Sequence, residues 1–188
     1  MRLPYYTIGH SNRPLDEFIA MLADAQIALL VDVRKMTRSR ANPQFNEATL
    51  PDALADAGIA YAHIAALGGL RGKSHDVPGD VNGFWTNASF HRYADYALSD
   101  TFRAGLDELI ALGQRQRCAI MCSEAVWWRC HRRIVSDYLI AHGETVLHIM
   151  ARGRIEPARL TAGADVQPDG TVVYPRAEGA ASSQGVTP

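Results

Sequence analysis

Short apolar runs alternate with amphipathic stretches along the first 150 residues, and this alternation constrains the fold more than any other feature. The runs predict strands at residues 5–8, 27–33, 59–64, 118–122 and 145–149. The run at 27–33 is apolar at almost every position, which is typical of a strand covered on both faces. Because parallel neighbours need crossover connections, we expect an α/β fold, a three-layer sandwich with a mainly parallel central sheet of about five strands.

The stretches between the runs have apolar side chains at three- and four-residue spacing, as helices do. Helices are predicted at 15–22, 47–57, 90–97, 101–112 and 130–141. Residues 68–83 hold five glycines and a proline, which predicts a long loop. We expect a single α/β domain at 1–150 and a C-terminal extension at 151–188, in which only 171–174 can form a strand and 177–188 are disordered.

Length and charge exclude several classes of protein. The chain of 188 residues has a net charge of −1, so its overall field gives no sign of nucleic-acid binding. Three cysteines do not make a disulfide framework, and no apolar run is long enough to cross a bilayer. The amino terminus lacks the apolar stretch of a signal peptide. We therefore expect a cytoplasmic protein without a membrane partner.

Polar segments follow three of the predicted strands, where α/β proteins bind their ligands. The first is Gly9-His10-Ser11, a tight turn that also suits a helix cap. The second contains Asp32, Arg34, Arg38 and Arg40. An acid at the end of a buried strand needs a partner, so Asp32 and Arg34 form a structural ion pair in one interpretation. Four positive charges within residues 34–40 exceed that one acid and favour an anionic ligand or a solvated basic loop.

The third segment runs from Cys122 and Glu124 to Cys130, His131 and Arg132. A helix amino terminus attracts anions and, together with arginines, lowers the pKa of a thiol. Cys130 and Cys122 are therefore candidate thiolates.

Three chemistries compete for this third segment. One is a cysteine-nucleophile anion loop of the phosphatase or rhodanese kind, although a phosphatase loop has arginine six residues after the cysteine and position 128 is Trp. Another is a metal site from Cys122, Cys130 and His131, which does not have standard zinc spacing. The third is a binding site in which Glu124 and Arg132 contact a polar ligand, with stacking on Trp127 or Trp128.

Several motifs, taken in chain order, resemble the bacterial domain-of-unknown-function family 488. The motifs are Tyr6-Thr7-Ile8-Gly9-His10-Ser11, Asp32-Val33-Arg34, Arg38-Ser39-Arg40-x-Asn42-Pro43-x-Phe45, Tyr61-x-His63, Leu67-Gly68-Gly69, and Cys122-x-Glu124 followed by Cys130-His131-Arg132. The resemblance implies a cytosolic single-domain α/β protein and no established reaction. The pair Trp127-Trp128 departs from the more polar loop of that family.

These observations lead to two hypotheses and a third alternative. In the first, the protein is an enzyme for a phosphorylated or nucleotide-like small molecule, with Cys122 or Cys130 as nucleophile and Glu124 or His131 transferring protons. The ligand would be held by Gly9, His10, Ser11, Asp32, Arg34, Arg38, Arg40 and Arg132. In the second, the same arginines and the tryptophans form a non-catalytic nucleotide or nucleic-acid binding module. A metal-binding protein is the third, and no particular cofactor is indicated.

Overall fold

Strands and helices alternate from the first strand to the fifth in the computed structural model, which describes residues 2–176. The strands are β1 (Tyr5–Gly9), β2 (Leu29–Asp32), β3 (Ala60–His63), β4 (Cys118–Cys122), β5 (Val146–Ala151), β6 (Arg154–Pro157), β7 (Asp165–Val166) and β8 (Val172–Val173). The helices are α1 (Leu15–Asp24), α2 (Leu50–Asp56), α3 (Ala88–Tyr96), α4 (Asp100–Arg115) and α5 (Arg132–Ala141). Short 3₁₀ helices lie at Pro43–Phe45, Ala65–Leu67 and Trp127–Arg129.

Six strands form the central sheet in the order β3-β2-β4-β1-β5-β6. All pairings are parallel except that of β5 with β6. The predicted α/β fold with a mainly parallel sheet is therefore confirmed. The sixth strand lies outside the five apolar runs because it is an edge strand whose residues are mostly exposed, and it has no apolar run to mark it.

Helices cover both faces of the sheet, which makes three layers. One face packs against α1 and α2 through side chains such as Phe18, Leu30 and Leu54. The other packs against α3, α4 and α5 through a second set that includes Val31, Phe102 and Val135. Consecutive residues of β2 thus point to opposite cores, which is why this strand is apolar throughout.

The connections that leave the neighbouring strands β1 and β4 run in opposite directions along the sheet. From β1 the chain continues through α1 on one face, and from β4 it continues through α5 on the other. A crevice opens at the carboxyl ends of two such strands, and ligands of open α/β sheets bind there. The residues that follow Gly9 and Cys122 therefore lie where a ligand is expected to bind.

Part of the chain after residue 150 packs on the domain. Tyr174 is buried, and its hydroxyl donates a hydrogen bond of 2.8 Å to Asp137 of α5. Besides the predicted strand near 171–174, this part contains β6 and β7. The division of the chain at residue 150 stays a prediction, and the disorder predicted for 177–188 concerns residues outside the described range. None of the helices within 2–176 is both long and apolar enough to span a membrane.

Candidate functional site

A cavity of about 680 Å³ lies at the carboxyl edge of the sheet. Eight of the residues singled out from the sequence line it, and they come from all three strand-end segments. They are His10, Ser11, Arg34, Arg38, Cys122, Glu124, Cys130 and His131. Gly9, Asp32 and Arg132 do not line the cavity, and all three contact residues that do. Arg40 is exposed and does not line it.

Gly9 brings the first and third segments together. Backbone hydrogen bonds between β1 and β4 continue past the strands, from the N–H of His10 to the carbonyl of Cys122 and from that of Ser11 to Ser123, each 3.0 Å. A Cβ atom at Gly9 would lie 1.9 Å from the carbonyl oxygen of Glu124. Glycine is therefore required here by the close approach of two backbones.

The two candidate thiols lie side by side in the cavity wall. Cys122 ends β4 and Cys130 immediately precedes α5, and their Sγ atoms are 2.7 Å apart. Only 2% of Cys122 and 6% of Cys130 is exposed. At this separation the two sulfurs share a hydrogen bond, in which one thiol donates to the other sulfur.

Arg132 lies behind this pair and is almost completely buried. Its Nε donates to Cys122 Sγ at 3.0 Å, its Nη1 to the Thr7 hydroxyl at 3.2 Å, and its Nη2 to the Glu124 carbonyl at 2.6 Å. No carboxylate within residues 2–176 forms an ion pair with it. A buried guanidinium without a counter-charge is strongly destabilising, so the sulfur pair is the nearest source of negative charge.

The surroundings of Cys130 favour its ionised form more than those of Cys122 do. Its Sγ accepts the backbone N–H of Arg132 at 3.4 Å and lies 3.5 Å from His131 Nδ1. Burial alone would raise the pKa of Cys130, but the hydrogen bond from Cys122 and the charges of His131 and Arg132 hold that pKa well below its usual value. Burial raises the pKa of Cys122 well above its usual value. Within the pair, Cys130 is therefore the thiol that loses its proton more readily.

His131 is oriented by the end of the neighbouring strand. Its Nε2–H donates to the Val33 carbonyl at 3.0 Å, which leaves Nδ1 facing Cys130. A Cβ atom at Gly69 would lie 3.0 Å from that Nδ1, so the loop after residue 67 packs closely on the imidazole. The sequence motif Leu67-Gly68-Gly69 thus has a role in shaping the site that pattern analysis did not assign.

Asp32 and Arg34 form the ion pair considered from the sequence. Arg34 Nε and Nη2 both donate to the buried Asp32 carboxylate, the latter at 2.6 Å, and Tyr61 also donates to it at 2.8 Å. Arg34 Nη2 further donates to the Phe45 carbonyl. Arg34 is therefore held in one position, and its charge is already paired within the protein.

His10 completes this second cluster. Arg34 Nη1 lies 3.3 Å from His10 Nε2, and because the guanidinium can only donate, His10 Nε2 accepts. His10 Nδ1–H donates to the Ser11 carbonyl at 2.7 Å. Burial, with the charge of Arg34, lowers the pKa of His10 to about 4, so the imidazole is neutral at physiological pH. One of the five Arg34 N–H groups is left without a protein partner among residues 2–176.

The charged side chains that line the cavity are predominantly cationic. Arg34, Lys35, Arg38 and Arg129 line it, against a single carboxylate, that of Glu124. Arg38 and Arg129 are exposed to solvent. Even with Arg34 balanced by Asp32, the lining has an excess of positive charge, although the chain as a whole has a net charge of −1.

Two residues without a predicted role support Arg132 from the far side. The Thr7 hydroxyl, which accepts from Arg132, lies 2.7 Å from His148 Nδ1, and the His148 ring stacks on Trp127 at 4.4 Å. Burial lowers the pKa of His148 to about 4. In the sequence, each of these residues is a polar side chain within an apolar strand, and such a buried polar group needs a hydrogen-bonding partner.

Residues 2–176 contain no group of three or more His, Cys, Asp or Glu side chains arranged to hold a metal ion. The third cysteine, Cys118, is buried in the core at the opposite end of β4, where burial raises its pKa to about 12.

A comparison with known proteins identifies a family to which most of the chain is similar. Residues 14–139, more than half of the 188, match the family described as Domain of unknown function DUF488. No curated protein and no solved structure matches the chain. The matched stretch includes Asp32, Arg34 and both cysteines of the cavity wall, which also carried the resemblance in the sequence. The chain therefore belongs to the family of the domain of unknown function DUF488.

Proposed function

We propose that the protein is an enzyme that binds a phosphate-bearing or nucleotide-like anion in the cavity and attacks it with the Cys130 thiolate. The observation that carries this proposal is the cavity lining, in which four cationic side chains accompany one carboxylate and the sulfur pair. A cavity of about 680 Å³ has room for a ligand of nucleotide size.

The ligand anion is assigned to the cationic side of the cavity. Arg38 and Arg129 are the most accessible donors, and a guanidinium binds two phosphate oxygens at once. Arg34 offers its remaining N–H, held in position by Asp32 and His10. Arg40 is given no part, because it lies outside the cavity lining.

The reaction assigned to the site is displacement by a thiolate. Cys130 Sγ forms a bond to the phosphorus atom of the ligand, and the bond from phosphorus to the leaving oxygen breaks. That oxygen takes a proton from Glu124, the carboxyl group of the cavity lining. His131 keeps Cys130 ionised, while Arg132 and Cys122 stabilise the same charge. A water molecule then attacks the phosphorus and gives its proton to Glu124, and the S–P bond breaks, which releases phosphate and restores the thiolate.

Binding can be tested with inorganic phosphate, a nucleoside monophosphate and the unphosphorylated nucleoside, by calorimetric titration. We expect the nucleotide to bind more tightly than the nucleoside, and Arg38→Ala with Arg129→Ala to weaken binding at least about tenfold. The matched control is Arg103→Ala, an exposed arginine of α4 away from the cavity. Equal losses in the control, or no binding of either phosphate compound, would overturn the proposal.

Catalysis can be tested with p-nitrophenyl phosphate as a chromogenic probe. We expect Cys130→Ser to abolish release of nitrophenolate, and Cys118→Ala, which changes only the core cysteine, to retain it. An unchanged rate in Cys130→Ser would remove the thiolate from the mechanism.

A binding module without catalysis is the second candidate, and one observation favours it. Trp128 is 45% exposed and adjoins Arg129 of the cavity lining, an arrangement suited to stacking on a base. Binding of a single-stranded oligonucleotide that weakens steeply with salt, with the ligand recovered unchanged, would support this candidate against the enzyme.

A further inference from the structure

The juxtaposition of Cys122 and Cys130 has a consequence beyond nucleophilic attack. Their Sγ atoms are 2.7 Å apart, and both residues line the cavity. Cys118 lies four residues back along β4, roughly 13 Å away, and is enclosed by the core. The structure thus contains one pair of neighbouring thiols and one isolated thiol.

We propose that Cys122 and Cys130 are a redox modification site, which a peroxide converts reversibly into a disulfide and which thereby switches off the thiolate of the proposed function. The inference rests on that proposed function for its effect on activity. The disulfide itself rests on the position of the two sulfurs, and it can be measured without any substrate.

The chemistry balances with hydrogen peroxide as the oxidant. The Cys130 thiolate attacks one peroxide oxygen, the O–O bond breaks, and the leaving hydroxide takes up a proton to form water. The Cys122 sulfur then attacks the sulfenic sulfur of Cys130, and the hydroxyl group leaves with the Cys122 proton as a second water. The two sulfurs lose two electrons in total and peroxide gains them. A small-molecule dithiol reverses the change by thiol–disulfide exchange.

Arg132 makes the reduced form the favoured one. The guanidinium donates to Cys122 Sγ at 3.0 Å and is buried without a carboxylate partner among the described residues. Disulfide formation removes the negative charge of the sulfur pair and leaves Arg132 uncompensated. A stabilised reduced form makes a disulfide more oxidising, so we expect this one to be reduced easily.

The test uses the full chain with Cys118→Ala, so that only the proposed pair can react. The protein is treated with hydrogen peroxide at neutral pH, denatured and labelled with N-ethylmaleimide, and its intact mass is measured by mass spectrometry. We expect no maleimide adducts after oxidation, two adducts after reduction, and a mass difference of two hydrogens before labelling. Trypsin should then release residues 118–129 joined to residues 130–132.

Three variants complete the test. Cys122→Ser should lose the cross-link and accumulate a sulfenic acid that dimedone traps at Cys130. Arg132→Met should shift the dithiol–disulfide equilibrium in a glutathione buffer about tenfold toward the disulfide, and Arg132→Lys, which retains the charge, should shift it less. Arg132→Lys also serves if the methionine variant does not fold.

Two maleimide adducts after oxidation, or added oxygen without a cross-link, would overturn the inference. Neither result would affect the proposed function, because phosphate binding by the reduced protein is measured separately. Conversely, if the protein forms the cross-link but binds no phosphate compound, the redox site is supported and the proposed enzymatic function is contradicted.

Discussion

Arg132 Nε lies 3.0 Å from Cys122 Sγ, and Cys122 Sγ lies 2.7 Å from Cys130 Sγ. Cys130 should therefore react with iodoacetamide below the pH range of an ordinary thiol, because its pKa is held well below the usual value. In Arg132→Met the midpoint of the rate against pH should move up, because the charge of Arg132 is one of the causes that lower the pKa of Cys130. The measurement is made with Cys118→Ala in every variant, and an unmoved midpoint would contradict the role given to Arg132.

Gly9→Ala should destabilise the fold and the site together. The added Cβ would meet the Glu124 carbonyl, which itself accepts from Arg132, so the backbone after β4 must move. We expect the free energy of unfolding in urea to fall by about 1 to 3 kcal/mol or more. Gly72→Ala is the matched control, since no atom lies within 4 Å of its added Cβ. Equal stabilities of the two variants would refute this account of Gly9.

Asp32→Asn should cost much more stability than removal of an exposed ion pair. It removes the charge that balances the buried Arg34 and weakens the hydrogen bond from Tyr61. We expect a loss of about 3 kcal/mol or more in the free energy of unfolding. Asp24→Asn, which breaks the exposed pair with Arg152, should change stability little. Phosphate binding should also weaken in Asp32→Asn because Arg34 loses its fixed position.

Stability should fall as the pH falls from about 6.5 toward 4. In the folded chain the pKa of His10 and of His148 is lowered to about 4, whereas their ordinary value is 6.5. Between these values the unfolded chain binds more protons, so the free energy of unfolding decreases with decreasing pH. Each imidazole contributes on the order of 3 kcal/mol over the whole interval.

The control for this pH dependence is a comparison of slopes. His148→Asn should flatten the dependence of stability on pH, while His75→Asn, which changes an exposed side chain, should leave it as in the parent protein. Parallel slopes for all three proteins would show that His148 does not titrate as inferred.

The sheet and the position of the cavity could be predicted from the sequence because they depend on local patterns. Apolar runs such as 27–33 mark buried strands, and parallel strands align their carboxyl ends at one edge. The convergence of His10, Arg34 and Cys122 on one cavity follows from those two facts. The edge strand β6 has no such pattern, since most of its residues face solvent.

The hydrogen-bonding partners within the site could not be predicted, because they depend on register and side-chain direction. The ligand-binding role of Arg132 stays a prediction, and the sequence gives no sign that its guanidinium is buried behind the thiols and donates to Cys122. Arg40 follows Arg38 by two residues and is nevertheless outside the cavity lining. His148 could be linked to Arg132 only after strand pairing had placed it beside Thr7.

The hydrogen bond from Arg132 to Thr7 joins residues 125 positions apart, so the thiolate environment is a property of the finished tertiary structure. A nascent chain has both sulfurs before it has this environment, and until β1, β4 and α5 dock they behave as ordinary cysteines. The rate of thiol alkylation therefore reports on folding, since it should change when β1, β4 and α5 dock.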